Sequence, residues 1–385
     1  MRVLTLTPFY PTASDDAAGC FAAEPLIALR NLGIDSAVIA IQPFYRAPSK
    51  PSPTNLPAAW LRYPCLPGNF GLPSSGALLY ASLVSAIQRL HRSQRIDLIH
   101  AHAALPCGHA AKLLSSRLGI PWVLTVHGLD AGFTQQVSGM AGRWCKNVAQ
   151  SVYRTAARVI GISGRVRDQI LAIAGAPVNS AVVYNGVDCE KFRPPDHDGD
   201  HREANQPTIL SVGNLIPIKG HDVLLRAVAV VTAQFPGLTC EIIGDGPERI
   251  SLQHLTRQLG VAENVRFLGR QSRAQVADAM RRCSVFALPS RYEGLGCVYL
   301  EAMACAKPVI ACRGQGIDEI VEHDRNGWLV PAGDVPELAR GLTRILEDAP
   351  LRLRLGANAR HMVLQKFTLD HQAGHLAAIY RECAA

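Results

Sequence analysis

The 385-residue chain lacks most of the signatures that would settle its class early. Its eleven cysteines are an odd number, scattered, with no C-x-x-C pair, which excludes a regular disulfide framework or zinc ribbon and suits reduced thiols in a cytosol. The opening "MRVLTLTPFY" has one Arg, no sustained apolar core and no small-residue cleavage site, so no signal peptide is expected. The longest apolar run, "GALLYASLVSAI" (76–87), falls well short of the ~20 residues that span a bilayer. No G-x-G-x-x-G opens the first β-α turn, which argues against a nicotinamide dehydrogenase. No helix-turn-helix, zinc-finger or RNA-binding motif is present, so a nucleic-acid partner is not expected.

What is present is a soluble composition, 48% hydrophobic and 18% charged, with a net charge of +8. Residues 1–190 hold 16 Lys/Arg against 9 Asp/Glu, and the remainder 23 against 22. The positive excess therefore belongs to the N-terminal half, as expected for an anionic membrane face or a phosphorylated ligand, or for a surface with a modest surplus. The length exceeds one ordinary core and predicts two domains of roughly 150–200 residues.

The pattern agrees. "MRVLTLTP" reads as a first parallel strand, and strands alternate with helices through "DSAVIAI", "IDLIHAH", "PWVLTVH", "RVIGIS" and "SAVVYNG". A Pro-rich stretch within 43–73 interrupts this and reads as loop with exposed aromatics. Residues 191–206, "KFRPPDHDGDHREANQ", lack periodicity and read as an interdomain linker. A metal on its Asp/His residues is disfavoured, because nothing there fixes ligand geometry. A second α/β series follows from "TILSVGN", with a helix predicted at 316–322. The expected architecture is two Rossmann-like domains, 1–190 and 207–365, facing a central cleft, with a C-terminal helix (366–385) able to pack back on the first.

Three strand-end turns carry candidate chemistry. In "SRYEGLGCVYLEAMACAKPVI", Glu293 follows a buried strand and Glu301 lies two helical turns on, with no Arg or Lys three or four residues away on the helix. Gly294, Leu295 and Gly296 open that helix, whose first N–H groups favour an anion such as a diphosphate. Structurally, Glu293 is also explained as a carboxylate favoured by the helix dipole; Glu301 is not. "SVGNLIPIKGHDVLLRA" puts Lys219 at a helix start, the wrong end for its charge unless it faces phosphates. "PWVLTVHGLD" puts His127 at a strand end, where a satisfied structural histidine is the ordinary outcome. "HAHAALPCGHA" resembles a metal cluster in composition but reads mostly as strand-end alternation.

Taken in order, "TVHGLD", "YNGVD", "VGNLIPIKGHDVLLRA", "GDGPER" and "YEGLGCVYLEAMACAKPVIA" resemble the retaining GT-B glycosyltransferases of family 4, most strongly over 119–330. The E-x7-E pair in its helix is the specific element. The resemblance implies transfer of a hexose-type sugar from a UDP- or GDP-linked donor, with retention, no metal and no resident cofactor. It implies a lipid-linked or polysaccharide-precursor acceptor in cell-surface glycan synthesis. It implies that Glu293 holds donor-sugar hydroxyls, Glu301 the ribose diol, Lys219 the leaving diphosphate and His127 the region of the sugar's 6-hydroxyl. Gly19 matches a glycine loop approaching the phosphates, although "DDAAGCFA" lacks the usual paired glycines. Asn214 stands where the family often has Arg, so either Lys219 and the two helix N-termini suffice for the diphosphate or Arg291 or Arg313 substitutes. Alternatives are a sugar-nucleotide epimerase of the same architecture and a soluble transferase acting on a small molecule. A cytoplasmic enzyme is expected, peripheral on the inner leaflet, docking through Phe44, Tyr45, Trp60, Tyr63 and Phe70 among Arg46, Lys50 and Arg62.

Overall fold

The computed structural model describes residues 1–48, 50, 57–67, 71–131, 137–195 and 206–385. The chain divides into two units, Met1–Asn185 with Leu369–Ala385, and Gly186–Thr368.

In the first unit, β1 (Arg2–Thr7), β2 (Asp35–Pro43), β3 (Ala58–Tyr63), β4 (Leu98–His102), β5 (Trp122–Val126), β6 (Arg158–Gly161) and β7 (Ser180–Val182) form one parallel sheet. Its order is β3-β2-β1-β4-β5-β6-β7, so the direction of travel reverses between β1 and β4. Strands β4 and β5 are buried along their whole length, as parallel strands covered on both faces must be. The connecting helices are α1 (Cys20–Ala23), α2 (Pro25–Asn31), α3 (Leu72–Ser93), α4 (His109–Leu118), α5 (Gly139–Thr155) and α6 (Gly164–Ala174). Ser163 caps α6 by accepting from the Val166 N–H at 3.2 Å.

One expectation is corrected here. Part of the stretch read as loop, 43–73, is β3, an edge strand paired only with β2. Tyr63 is buried and Trp60 half-buried against the core, so neither ring is free for docking. Flanking prolines hid this strand, because Pro is tolerated at sheet edges. Phe70 lies outside the described residues.

The second unit repeats the topology. Strands β8 (Thr208–Val212), β9 (Thr239–Ile243), β10 (Val265–Gly269), β11 (Val285–Ala287), β12 (Val309–Cys312) and β13 (Trp328–Val330) run parallel in the order β10-β9-β8-β11-β12-β13. The reversal falls between β8 and β11. Around them lie α7 (His221–Val231), α8 (Arg249–Gln258), α9 (Arg273–Arg282), α10 (Cys297–Ala304), α11 (Val335–Glu347) and α12 (Ala349–Lys366). Ser272 and Gln275 form a reciprocal capping box on α9. The helix predicted at 316–322 is a single 3-10 turn, Gly316–Glu319.

The predicted linker also shifts. Its residues 196–205 lie outside the described ones. Phe192, however, is fully buried in the second unit, with the Arg273 guanidinium 4.8 Å from its ring centroid. One aromatic anchor in a Pro- and Asp-rich run makes no periodic signal, so the sequence does not mark that the second unit begins at Gly186.

The last helix, α13 (Leu369–Ala384), belongs to the first unit. It buries Ala373, Leu376, Ala377 and Tyr380 in a core shared with Leu26, Leu29, Val123 and Ile160. Among the described residues no helix is long and apolar enough to cross a membrane, and all eleven cysteines are free.

Candidate active site

In the second unit the chemistry gathers where the strand order reverses, the place where open α/β sheets bind ligands. The segment after β8 carries Lys219 and the segment after β11 carries Glu293. The Lys219 ammonium donates to Glu293 Oε2 at 2.7 Å, and both side chains are largely buried. Ser290 Oγ donates to the same oxygen at 3.2 Å, while the Glu293 N–H donates to Gln315 Oε1 at 3.0 Å. The carboxylate and its backbone are thus both fixed.

Glycines make room beside this pair. Gly220, at φ 69°, starts α7, and a Cβ there would lie 2.1 Å from the Pro289 carbonyl. Gly296, at φ 84°, starts α10, where a Cβ would lie 2.6 Å from the Tyr299 ring. Neither helix has a capping side chain at its start. Gly294 gives its carbonyl to a close approach by Gly316. The Leu295 side chain is buried, so only its backbone can face a ligand.

Glu301 lies inside α10, buried and ion-paired with Arg273 of α9. The expectation that ligand hydroxyls alone satisfy the two glutamates is therefore corrected: each has a cation within the protein. Those partners lie 74 and 28 positions away in sequence, beyond any local spacing rule. Asn214 is exposed. Arg291 is engaged elsewhere, with a two-pronged pair to Asp222 at 2.7 and 2.9 Å and a bond to the Pro217 carbonyl. Its charge is already balanced, while Arg313 is exposed. His221, beside Lys219, is fully buried, and burial followed by the Lys219 charge lowers its pKa to about 4.

His127 and Gly19 belong to the first unit. Residues two apart on a strand share a face, so His100 and His102 of β4 line up beside Thr125 of β5, with His127 just past it. His102 Nδ1 and His127 Nε2 lie 2.9 Å apart, and the rings stack at 5.2 Å. His100 bonds Thr125 Oγ1 at 2.8 Å and the Tyr380 hydroxyl at 2.7 Å. Phe9 and Phe21 enclose the His127 ring, whose Nδ1 is buried without a partner. Gly19 holds this cover in place: at φ 76°, a Cβ would lie 2.3 Å from the Tyr10 nitrogen. Burial lowers the pKa of all three imidazoles, His102 to about 4, and raises Asp130 to about 6 despite the bond it accepts from the His127 N–H. A cavity of about 10 Å³, room for a single water, lies among His100, His102, Thr125, Asn185, Gln372 and Tyr380. Sequence reasoning missed Arg273, Ser290 and Gln315; the H-A-H alternation was the available signal for His100 and His102.

Residues 193–362 match the family described as glycosyl transferases group 1, and residues 23–191 match glycosyltransferase family 4. The chain belongs to these glycosyltransferases. An uncharacterized glycosyltransferase of Methanocaldococcus jannaschii is 32% identical over 75% of this chain and 76% of its own length. A D-inositol 3-phosphate glycosyltransferase of Jonesia denitrificans is 34% identical over 74% and 71%. The Anabaena protein HepE, solved with UDP-glucose, superposes with TM-score 0.78 at 23% identity, covering 99% of this chain and 100% of its own. That likeness shows the fold, GT-B, with its two Rossmann-like domains. The E-x7-E helix of this glycosyltransferase lies at the strand reversal of the second domain.

Proposed function

We propose that this glycosyltransferase moves a hexose from a UDP- or GDP-linked sugar to a lipid-linked or polysaccharide-precursor acceptor, with retention and without metal or resident cofactor. The observation that carries the reading is the Lys219–Glu293 pair, 2.7 Å apart at the strand reversal of the second unit. A cation beside the uncapped starts of α7 and α10 suits a diphosphate that gains charge as it leaves. In this reading Lys219 turns from Glu293 to the diphosphate, which departs with the bonding pair. Freed of its cation, Glu293 holds sugar hydroxyls. The acceptor hydroxyl gives its proton to the departing phosphate oxygen, and its oxygen takes the diphosphate's place on the same face of the sugar. Glu301, held by Arg273, receives the ribose diol, His127 borders the 6-hydroxyl, and the Gly19 turn approaches the phosphates. Asn214 contributes hydrogen bonding without charge. HepE's UDP-glucose favours a uridine donor, and the D-inositol 3-phosphate relative supports a second reading, a small hydroxylated acceptor in solution. On the first reading the enzyme works at the inner leaflet of the cytoplasmic membrane.

The test is a thermal-shift panel of nucleotide-sugars, followed by NMR of the product with a chelator present. A ligand at 100 times its dissociation constant adds ~2.7 kcal/mol of stability. The matching donor should raise the melting temperature and yield a product of the donor's anomeric configuration. An inverted product, or turnover abolished by the chelator, would overturn the mechanism. An epimerised donor without any acceptor would replace the transferase by an isomerase.

A further inference from the structure

Residues 36–167 hold fourteen Lys and Arg but two acids, Asp97 and Asp130. Asp15 and Asp16 lie in the turn after β1, whose Ala13 N–H donates to the Lys50 carbonyl at 3.1 Å. They offset part of this surplus at the C-terminal strand edge, while the two acids within the segment are engaged elsewhere. Asp97 accepts from the Arg2 N–H at 2.8 Å and lies 3.5 Å from Arg95, and Asp130 accepts from the His127 N–H at 2.9 Å. A segment this one-sided presents a positive surface unless partners neutralise it.

Apolar residues stand on that surface at a particular edge. The first sheet is wholly parallel, so the C-terminal ends of its strands share one edge. There β2 hands over to Phe44 and Tyr45, which are 54% and 51% exposed. The Arg62 guanidinium lies 5.1 Å from the Phe44 ring centroid and donates to the Phe44 and Arg46 carbonyls, so a cation holds that ring in its exposed position. Helix α5 also starts at this edge, because it carries the chain from the end of β5 to the start of β6. Its 17 residues span about 25 Å, whereas strands of five and four residues span about 13–17 Å. The surplus length lets its first turns project past the strands.

Met140 and Trp144, four residues apart on one face of those turns, are 76% and 53% exposed. Arg143 and Lys146 beside them are exposed, and α5 contains no acidic residue. The opposite face, Ala141, Cys145, Ala149 and Val152, is buried. The helix therefore packs into its unit without Met140 or Trp144.

We propose that this rim, the first turns of α5 together with Phe44 and Tyr45, docks on an anionic lipid bilayer. The proposal rests on the lipid-linked acceptor reading above and assigns that reading a surface. Indole and phenol rings favour the bilayer interface, a thioether enters the acyl boundary, and guanidinium and ammonium groups meet anionic headgroups. A nucleic acid would use the charge but leave Met140 without a role.

The full chain is sedimented with vesicles of equimolar phosphatidylglycerol and phosphatidylcholine, and with phosphatidylcholine alone. Binding should occur on the anionic vesicles, weaken as salt rises, and be absent on the neutral ones. Replacing Arg143 or Lys146 by Gln should weaken binding about fivefold each, and M140S with W144S together at least about tenfold. The indole emission should shift blue on anionic vesicles and lose that shift in W144F. The UDP-induced rise in melting temperature, read on the same variants, should stay unchanged, which shows that they are folded. Equal recovery in the supernatant with both vesicle types overturns the proposal, as does parent-like binding by the Met140 and Trp144 variants. Duplex DNA binding as tightly as vesicles, and insensitive to those two residues, overturns it too. A parent that binds vesicles but no nucleotide would sink the proposed nucleotide-sugar donor and leave the docking surface standing.

Discussion

At the scale of single residues, Lys219 decides most. It sits in the 3-10 turn Pro217–Lys219 just before α7, against the helix dipole, with one carboxylate to hold it. Lys219→Ala should lower turnover by a hundredfold or more, on the order of an oxyanion-type donor, with only a small change in the urea midpoint. A midpoint loss large enough to explain the activity would make the residue structural. The histidines of the first unit set a pH dependence. The pKa of His102 is depressed to about 4, below the ordinary ~6.5, so the unfolded chain takes up its proton first as pH falls. Stability present above pH 6.5 is lost towards pH 4, by roughly 3 kcal/mol for such a shift. His100 and His127, also depressed, add to this. Asp130, raised to about 6, works oppositely, because the folded form takes its proton first as pH falls below 6. Three histidines outweigh one aspartate, so the melting temperature should fall between pH 7 and 5. His102→Gln should flatten that slope; an unaltered slope would mean that His102 is not the buried neutral group described.

At the scale of elements, the Arg273–Glu301 pair joins α9 to α10 with both side chains almost wholly buried. Removing one partner of a buried pair costs about 3–5 kcal/mol, because the other charge is stranded, whereas replacing both by apolar residues is often neutral. Arg273→Ala should therefore destabilise strongly. Arg273→Met with Glu301→Met should restore much of the stability while UDP affinity, measured by calorimetry, stays weak. If the double variant binds UDP like the parent, Glu301 has no part in the donor site. The same elements show what the sequence made legible. Strand-end glycines and the E-x7-E spacing located Glu293, Lys219 and α10, because local backbone demands leave local marks. Arg273 and Gln315 left none, since their contacts exist only once α9 and the turn after β12 have folded against α10. The edge strand β3 was likewise masked, its pairing to β2 being non-local and its flanks proline.

At the scale of the molecule, the chain leaves its first unit after Asn185 and returns at Leu369. The two passages are tied on either side: the Val187 N–H donates to the Phe367 carbonyl at 2.9 Å, and Gln372 Nε2 donates to Asn185 Oδ1 at 3.4 Å. What returns is a structural layer. Helix α13 covers β4 and α2 with Leu376, Ala377 and Tyr380, and the Tyr380 hydroxyl occupies one nitrogen of the buried His100. Burying a large side chain contributes about 1.5–3 kcal/mol, so losing several together removes a sizeable share of a domain's ~5–15 kcal/mol. Deleting residues 369–385 should therefore unfold the first unit at lower temperature, or leave it unfolded, while the second, whose core cluster contains no α13 residue, keeps its own transition. Calorimetric scans should resolve two events, or one where the first unit is already unfolded, and only the second unit's event shifts with added UDP. If the truncated chain melts in one transition that UDP does not move, the second unit cannot fold or bind donor without a complete first unit, and the two are one cooperative body.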